Sequence, residues 1–160
     1  GAGLALHLAA RTENLAGVFA VSTPLRLQYL SAKFAPAVDG WNRLMEKLRL
    51  DGVKKEFVEN KPENPEINYS RNPVSGVREL ERLMEAVEPL LRTIKIPALA
   101  AQAHGDPVVD PKGSERIFEL IGSENKEYIL YNFSRHGILR GENSERVHRG
   151  IANFVEKLTH

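Results

Sequence analysis

The chain contains no cysteine. That excludes a disulfide framework, a thiolate metal site and a cysteine nucleophile. It also lacks an excess of either charge: 22 Lys and Arg stand against 21 Asp and Glu, a net charge of +1. A nucleic-acid binder or a protein adhering to anionic lipid carries a basic surplus, so both classes are set aside. No run of residues approaches the roughly 18–20 apolar positions of a membrane span. The apolar opening, Gly1 to Ala10, has no basic leading segment and runs directly into Arg11, which is not the pattern of a secretory signal. A cytoplasmic location is expected. What the chain does have is 160 residues, 42% of them hydrophobic, enough for one domain with a packed core.

Hydrophobic patterning divides the chain. Residues 3–11 have the alanine and leucine content of a buried helix. Leu15 to Val21 is a short apolar run with β-branched and aromatic content, expected to be a buried strand. From residue 25 to 95 the character is helical: Trp41, Leu44, Met45 and Leu48 recur at helical spacing, as do Val77, Leu80, Met84, Val87 and Leu91. Pro89 withholds an N–H from the preceding turn, so a kink or restart is expected near Glu88. Asn60 to Pro73, with three prolines and four asparagines, is expected to be irregular.

From Ile96 the pattern is strand, loop, helix, repeated once. Ala98 to Ala103 reads as a strand and His104-Gly105-Asp106-Pro107 as a turn. Asp110-Pro111 is a strong helix start, with a capping side chain followed by a residue suited to the first helical position. Lys126 to Phe133 is the next strand. A final helix begins near Asn143-Ser144, with Val147, Ile151, Phe154, Val155 and Leu158 on its apolar face. This alternation is an α/β pattern of about three parallel strands flanked by helices. Residues 1–24 and 96–160 form the core, and 25–95 are a helical insert.

In parallel sheets, sites gather at the carboxyl ends of strands. Those ends here carry Ser22-Thr23, His104-Gly105-Asp106 and Ser134-Arg135-His136. Asp106 and His136 follow successive strands, so their loops are expected side by side. A carboxylate bonded to one ring nitrogen sets the histidine tautomer and stabilises the imidazolium. Each residue alone is more often a turn or loop residue; together at strand ends they point to an acid–base pair. The five histidines, His7, His104, His136, His148 and His160, form no H-x-x-x-H or H-E-x-x-H pair. No metal site is expected. A dinucleotide fingerprint at Gly1-Ala2-Gly3 fails because position 6 is Leu6 and the following strand ends in Ser22-Thr23-Pro24.

Residues 96–158 resemble the C-terminal part of an α/β-hydrolase of the carboxylesterase and monoacylglycerol-lipase group. The resemblance is carried by Ile96-Pro97-Ala98-Leu99, by Gln102 to Val109, by Lys126 to Asn132, by Arg135-His136-Gly137-Ile138, and by the closing helix. It implies that Asp106 is the acid of a Ser-His-Asp triad and His136 its base, with Asp110 the competing acid. Gly1-Ala2-Gly3 looks like the last glycine of the family's G-x-S-x-G elbow and the helix beyond it. The nucleophilic serine would then sit two positions before Gly1. Arg135 departs from the family, which commonly has a small residue before the histidine.

The resemblance implies a serine hydrolase of small apolar esters or acylglycerols, with no cofactor. Residues 25–95 would be its lid, and the chain alone would be inactive. The alternative is a non-catalytic α/β half that needs a partner chain. The apolar strand at 15–21 would lack its neighbour, and a homo-oligomer of the fragment is expected.

Overall fold

A computed structural model describes residues 1–25, 35–50, 54–59, 66 and 69–159. In chain order its elements are α1 (Ala2–Ala9), β1 (Val18–Val21), α2 (Ala35–Lys47), β2 (Phe57–Glu59), β3 (Arg71–Pro73), α3 (Val74–Val87), a 3-10 helix (Glu88–Thr93), β4 (Ala98–Ala103), α4 (Pro111–Leu120), β5 (Lys126–Tyr131) and α5 (Glu145–Thr159). They fall into two units, Gly1–Arg26 with Leu83–His160, and Leu27–Arg82. Among the described residues no helix is long and apolar enough to cross a membrane.

The first unit is built on a parallel sheet of order β1-β4-β5. Val18 pairs with Ala98, and Ala98 in turn with Lys126, so the three strands begin level with one another. Every residue of β4 is buried, as expected of a central parallel strand covered on both faces. Successive side chains point to opposite faces, and two apolar clusters result. Val18, Ala20 and Ala98 pack with Leu6, Leu91, Ile94 and Ile117. Ala101, Ala103 and Tyr131 pack with Phe133, Ile138 and Val147. Phe154 of α5 meets Phe19 of β1 edge-on at 5.6 Å between centroids.

Several boundaries differ from the sequence reading. The first helix ends at Ala9 rather than residue 11, and β1 starts at Val18 rather than Leu15. Gly17 explains part of this: a Cβ there would lie 2.9 Å from Leu158 and 3.1 Å from the Pro97 carbonyl, so the chain enters the sheet at a close approach. Pro89 acts as expected. Helix α3 stops at Val87 and the chain continues as a tighter 3-10 helix with proline in its first turn. Residues 83–95, grouped with the insert by pattern, belong to the first unit, where Leu91 and Ile94 are fully buried.

In the second unit, β2 and β3 form a short antiparallel ribbon, with Phe57 opposite Pro73. Arg71–Pro73 is therefore strand, not irregular chain. Of the rest of the expected irregular stretch, residues 60–65 and 67–68 lie outside the described residues. Arg71 sits 4.3 Å from the Phe57 ring centre. The Asn42 side chain exchanges two hydrogen bonds of 2.8 Å with the Lys55 backbone, and Arg78 reaches Asp39 at 3.6 Å.

Candidate active site

The register of β4 and β5 places their following loops together. Ala103 pairs with Tyr131, and the pairing runs on past both strands: the His104 N–H donates to the Tyr131 carbonyl at 2.8 Å and the Gly105 N–H to that of Phe133 at 2.9 Å. Gly105 allows this approach, since a Cβ there would lie 3.1 Å from the Phe133 oxygen and 3.2 Å from Ser134 Oγ. The next residue, Asp106, is buried.

Asp106 turns its carboxylate back into its own loop. Oδ1 accepts from the N–H groups of Val108 and Val109 at 2.8 and 2.9 Å. Such local bonding is the usual use of aspartate in a turn. Oδ2 faces the other way, 2.8 Å from His136 Nδ1, and also accepts from Gln102 Nε2 at 2.8 Å. Burial by itself pushes this carboxyl up. The hydrogen bond from His136, those from Val109 and Val108, and the imidazole charge outweigh it and hold Asp106 below the ordinary carboxylate value.

An ionised carboxylate only accepts, so Nδ1 of His136 carries the proton of the neutral ring and Nε2 is the basic nitrogen. The His136 side chain is 37% exposed, against none for Asp106. The carboxylate is enclosed while the imidazole reaches the surface. The backbone beneath the ring is also tied down. The His136 carbonyl accepts from Ser22 Oγ at 2.9 Å and from the Ile138 N–H at 2.9 Å. Ser22 directly follows β1 with a φ of +48°, a conformation uncommon for a residue other than glycine. All three strand ends named in the sequence thus meet around one histidine.

Asp110 has a different occupation. It is the N-cap of α4, with extended backbone, and accepts from the Lys112 N–H at 3.0 Å. Arg135 lies against the Phe133 ring, 4.6 Å from its centre, and donates to the Glu142 carbonyl. His148 Nε2 is engaged with the Leu139 carbonyl at 2.9 Å. Sequence reasoning did not single out Gln102 or Ser114. Gln102 is the one polar residue in the otherwise apolar β4, and that interruption was the available signal.

A family model described as serine aminopeptidase, S33, matches residues 1–143. The thermostable monoacylglycerol lipase of Bacillus sp. (strain H-257) is 26% identical over 136 residues, covering 85% of this chain and 51% of that protein. Caffeoylshikimate esterase of Arabidopsis thaliana is 25% identical over 120 residues, covering 72% of this chain and 35% of that protein. Among solved structures, the monoacylglycerol lipase of Paleococcus ferrophilus matches with a TM-score of 0.76 at 19% identity, over 99% of this chain and 65% of that one. At that identity the likeness shows the fold. The chain spans about half, or less, of the length of these two curated relatives.

Proposed function

The chain belongs to the serine aminopeptidase S33 family of α/β-hydrolases, and from that premise we propose that it supplies the acid and base of a Ser-His-Asp enzyme that cleaves carboxylic esters. The observation that carries this is the 2.8 Å bond between buried Asp106 and His136 at the carboxyl ends of neighbouring strands. The matched relatives named above are a lipase and an esterase, which favours an ester over an amide.

In this reading His136 Nε2 removes the proton of a serine hydroxyl as its oxygen attacks the ester carbonyl. The imidazolium is stabilised by Asp106 and returns the proton to the departing alcohol. The acyl-enzyme is then hydrolysed by water activated at the same nitrogen. No G-x-S-x-G motif occurs within the 160 residues, so the reading puts the serine in residues preceding Gly1-Ala2-Gly3. The second unit, residues 27–82, is assigned as the lid, and its exposed Trp41, Leu44 and Leu48 suit an acyl chain or other apolar ester group.

The test is hydrolysis of p-nitrophenyl butyrate and of a monoacylglycerol by the protein carrying its upstream residues. His136→Ala is expected to lower turnover about 10⁴-fold, as removal of a triad member does elsewhere. The 160 residues alone are expected to show no turnover that depends on His136. Full activity in His136→Ala would overturn the proposal.

A further inference from the structure

We infer that Gln102 is a positioning residue for Asp106, holding the carboxylate oxygen that faces His136 in place through a buried chain of polar side chains. The inference rests on the reading of Asp106 and His136 as acid and base. A glutamine in the centre of a parallel sheet is unfavourable unless both ends of its amide are satisfied. Here both are, although the side chain is wholly buried. Nε2 donates to Asp106 Oδ2 at 2.8 Å and reaches the Ala103 carbonyl at 3.3 Å. Oε1 accepts from Ser114 Oγ at 2.7 Å. That hydroxyl, itself buried on α4, also lies 3.4 Å from the Thr23 carbonyl.

Chemistry orients the chain. The carboxylate accepts only, so the NH₂ end of the amide must face it. The carbonyl end then faces Ser114, whose hydroxyl must donate. Hydrogen bonds thus run from Ser114 to Gln102 to Asp106, and His136 donates to the same Asp106 oxygen. The two bonds from Val108 and Val109 grip Oδ1 alone and leave the carboxylate able to pivot about that atom. Gln102 supplies the second point of attachment. It also disperses charge on Oδ2, so the proton gained during turnover stays on the imidazole.

The experiment compares Gln102→Leu, Gln102→Glu, Ser114→Ala and His136→Ala in the protein carrying its upstream residues, by kcat, KM and pH profile. Gln102→Leu is expected to lower kcat about tenfold to a hundredfold, the rate equivalent of one charge-assisted hydrogen bond, with KM moved less than about twofold. Ser114→Ala removes a neutral bond one step further away, and about a fivefold fall in kcat is expected. In Gln102→Glu two carboxyl groups share the site and cannot both ionise readily, so a proton is retained between them. The protonated form donates to Asp106 as the amide does. Activity is therefore expected to recover relative to Gln102→Leu, then to fall along a new alkaline limb as that proton leaves. A residue that merely fills space produces no such limb. If Gln102→Leu fails to fold, the glutamate and Ser114→Ala variants decide.

A second readout does not need turnover. The downfield proton resonance of His136 Nδ1–H in the 160-residue chain is expected to weaken or shift in Gln102→Leu and to disappear in Asp106→Asn. An unchanged resonance, or a glutamate profile identical to wild type, overturns the role of Gln102. Undiminished activity in His136→Ala overturns the catalytic reading instead, and the resonance then still decides whether Gln102 positions Asp106.

Discussion

Replacing Asp106 by asparagine exchanges one carboxylate oxygen for an NH₂ group, and the hydrogen bonds already described determine the consequence. Each oxygen receives two donors: Val108 and Val109 at Oδ1, Gln102 and His136 at Oδ2. An NH₂ at the first position would leave two backbone N–H groups facing a donor. At about 1–3 kcal/mol for each unsatisfied group, that orientation costs about 2–6 kcal/mol. At the second position both partners can adapt. The Gln102 amide can flip, with Ser114 turning its hydroxyl to the Thr23 carbonyl, and the imidazole can shift its proton to Nε2. The second orientation is therefore expected, with a stability loss nearer 1–3 kcal/mol. Its consequence for chemistry is severe, because Nε2 then carries a proton and cannot accept one from serine. Activity is expected to fall on the order of 10⁴-fold, as in the reference triad. Asp110→Ala is the control: loss of a helix cap costs about 1 kcal/mol and rates should stay within about twofold. Acid adds a further signature. The folded-state value of Asp106 is depressed, so its contribution is fully present above the unfolded value of about 3.9 and is lost as pH falls through the lower folded value. The stability gap between wild type and Asp106→Asn should thus close below about pH 4. Urea denaturation across pH, beside ester hydrolysis, measures both effects. A larger rate loss at Asp110 than at Asp106, or a gap that widens in acid, would refute the reasoning.

Two further outcomes follow from packing. At Gly122 an added Cβ would lie 2.1 Å from the Arg92 carbonyl oxygen, a backbone atom, and 2.7 Å from Lys95 Nζ; Gly122→Ala is expected to destabilise by about 1–3 kcal/mol, and an unchanged urea midpoint would contradict it. Strand β1 has no strand on its outer side among the described residues, and Leu4 and Leu8 of α1 are exposed; the 160-residue chain is expected to self-associate, dimerising through that edge, and a monodisperse monomer in light scattering at high micromolar concentration would refute this.

Much of the architecture was legible because local signals and tertiary demands agree. Asp110-Pro111 announces the start of α4, and Asp110 occupies its cap. The juxtaposition of Asp106 with His136 was legible from topology, since adjacent parallel strands bring their ends together. Less legible was anything depending on distant partners. Arg71–Pro73 becomes a strand only because Phe57–Glu59 lies opposite. Leu91 continues the helical spacing of Val77, Leu80, Met84 and Val87 and so reads as part of the insert, yet it packs with Leu6 and Ile117. The support for Asp106 was hidden for the same reason. Gln102 and Ser114 are twelve residues apart and no periodicity links them; only the packing of α4 against β4 makes them neighbours.

Strands β1 and β4 are direct neighbours in the sheet, although residues 22–97 run between them and contain the whole second unit. Bringing two strand ends together across such a stretch depends only logarithmically on its length: halving it changes the closure entropy by about 0.6 kcal/mol. The sheet is therefore nearly indifferent to how much chain is looped out at this point. Ser22, Gln102, Val108, Val109 and Ser114, whose hydrogen bonds to or behind Asp106 and His136 are described above, lie outside residues 27–82. The excursion can lengthen, shorten or change its composition while those hydrogen bonds persist. One stretch of polypeptide is thereby free to diversify without renegotiating the rest, and a graft of foreign sequence between residues 27 and 82 is the substitution this chain is best built to tolerate.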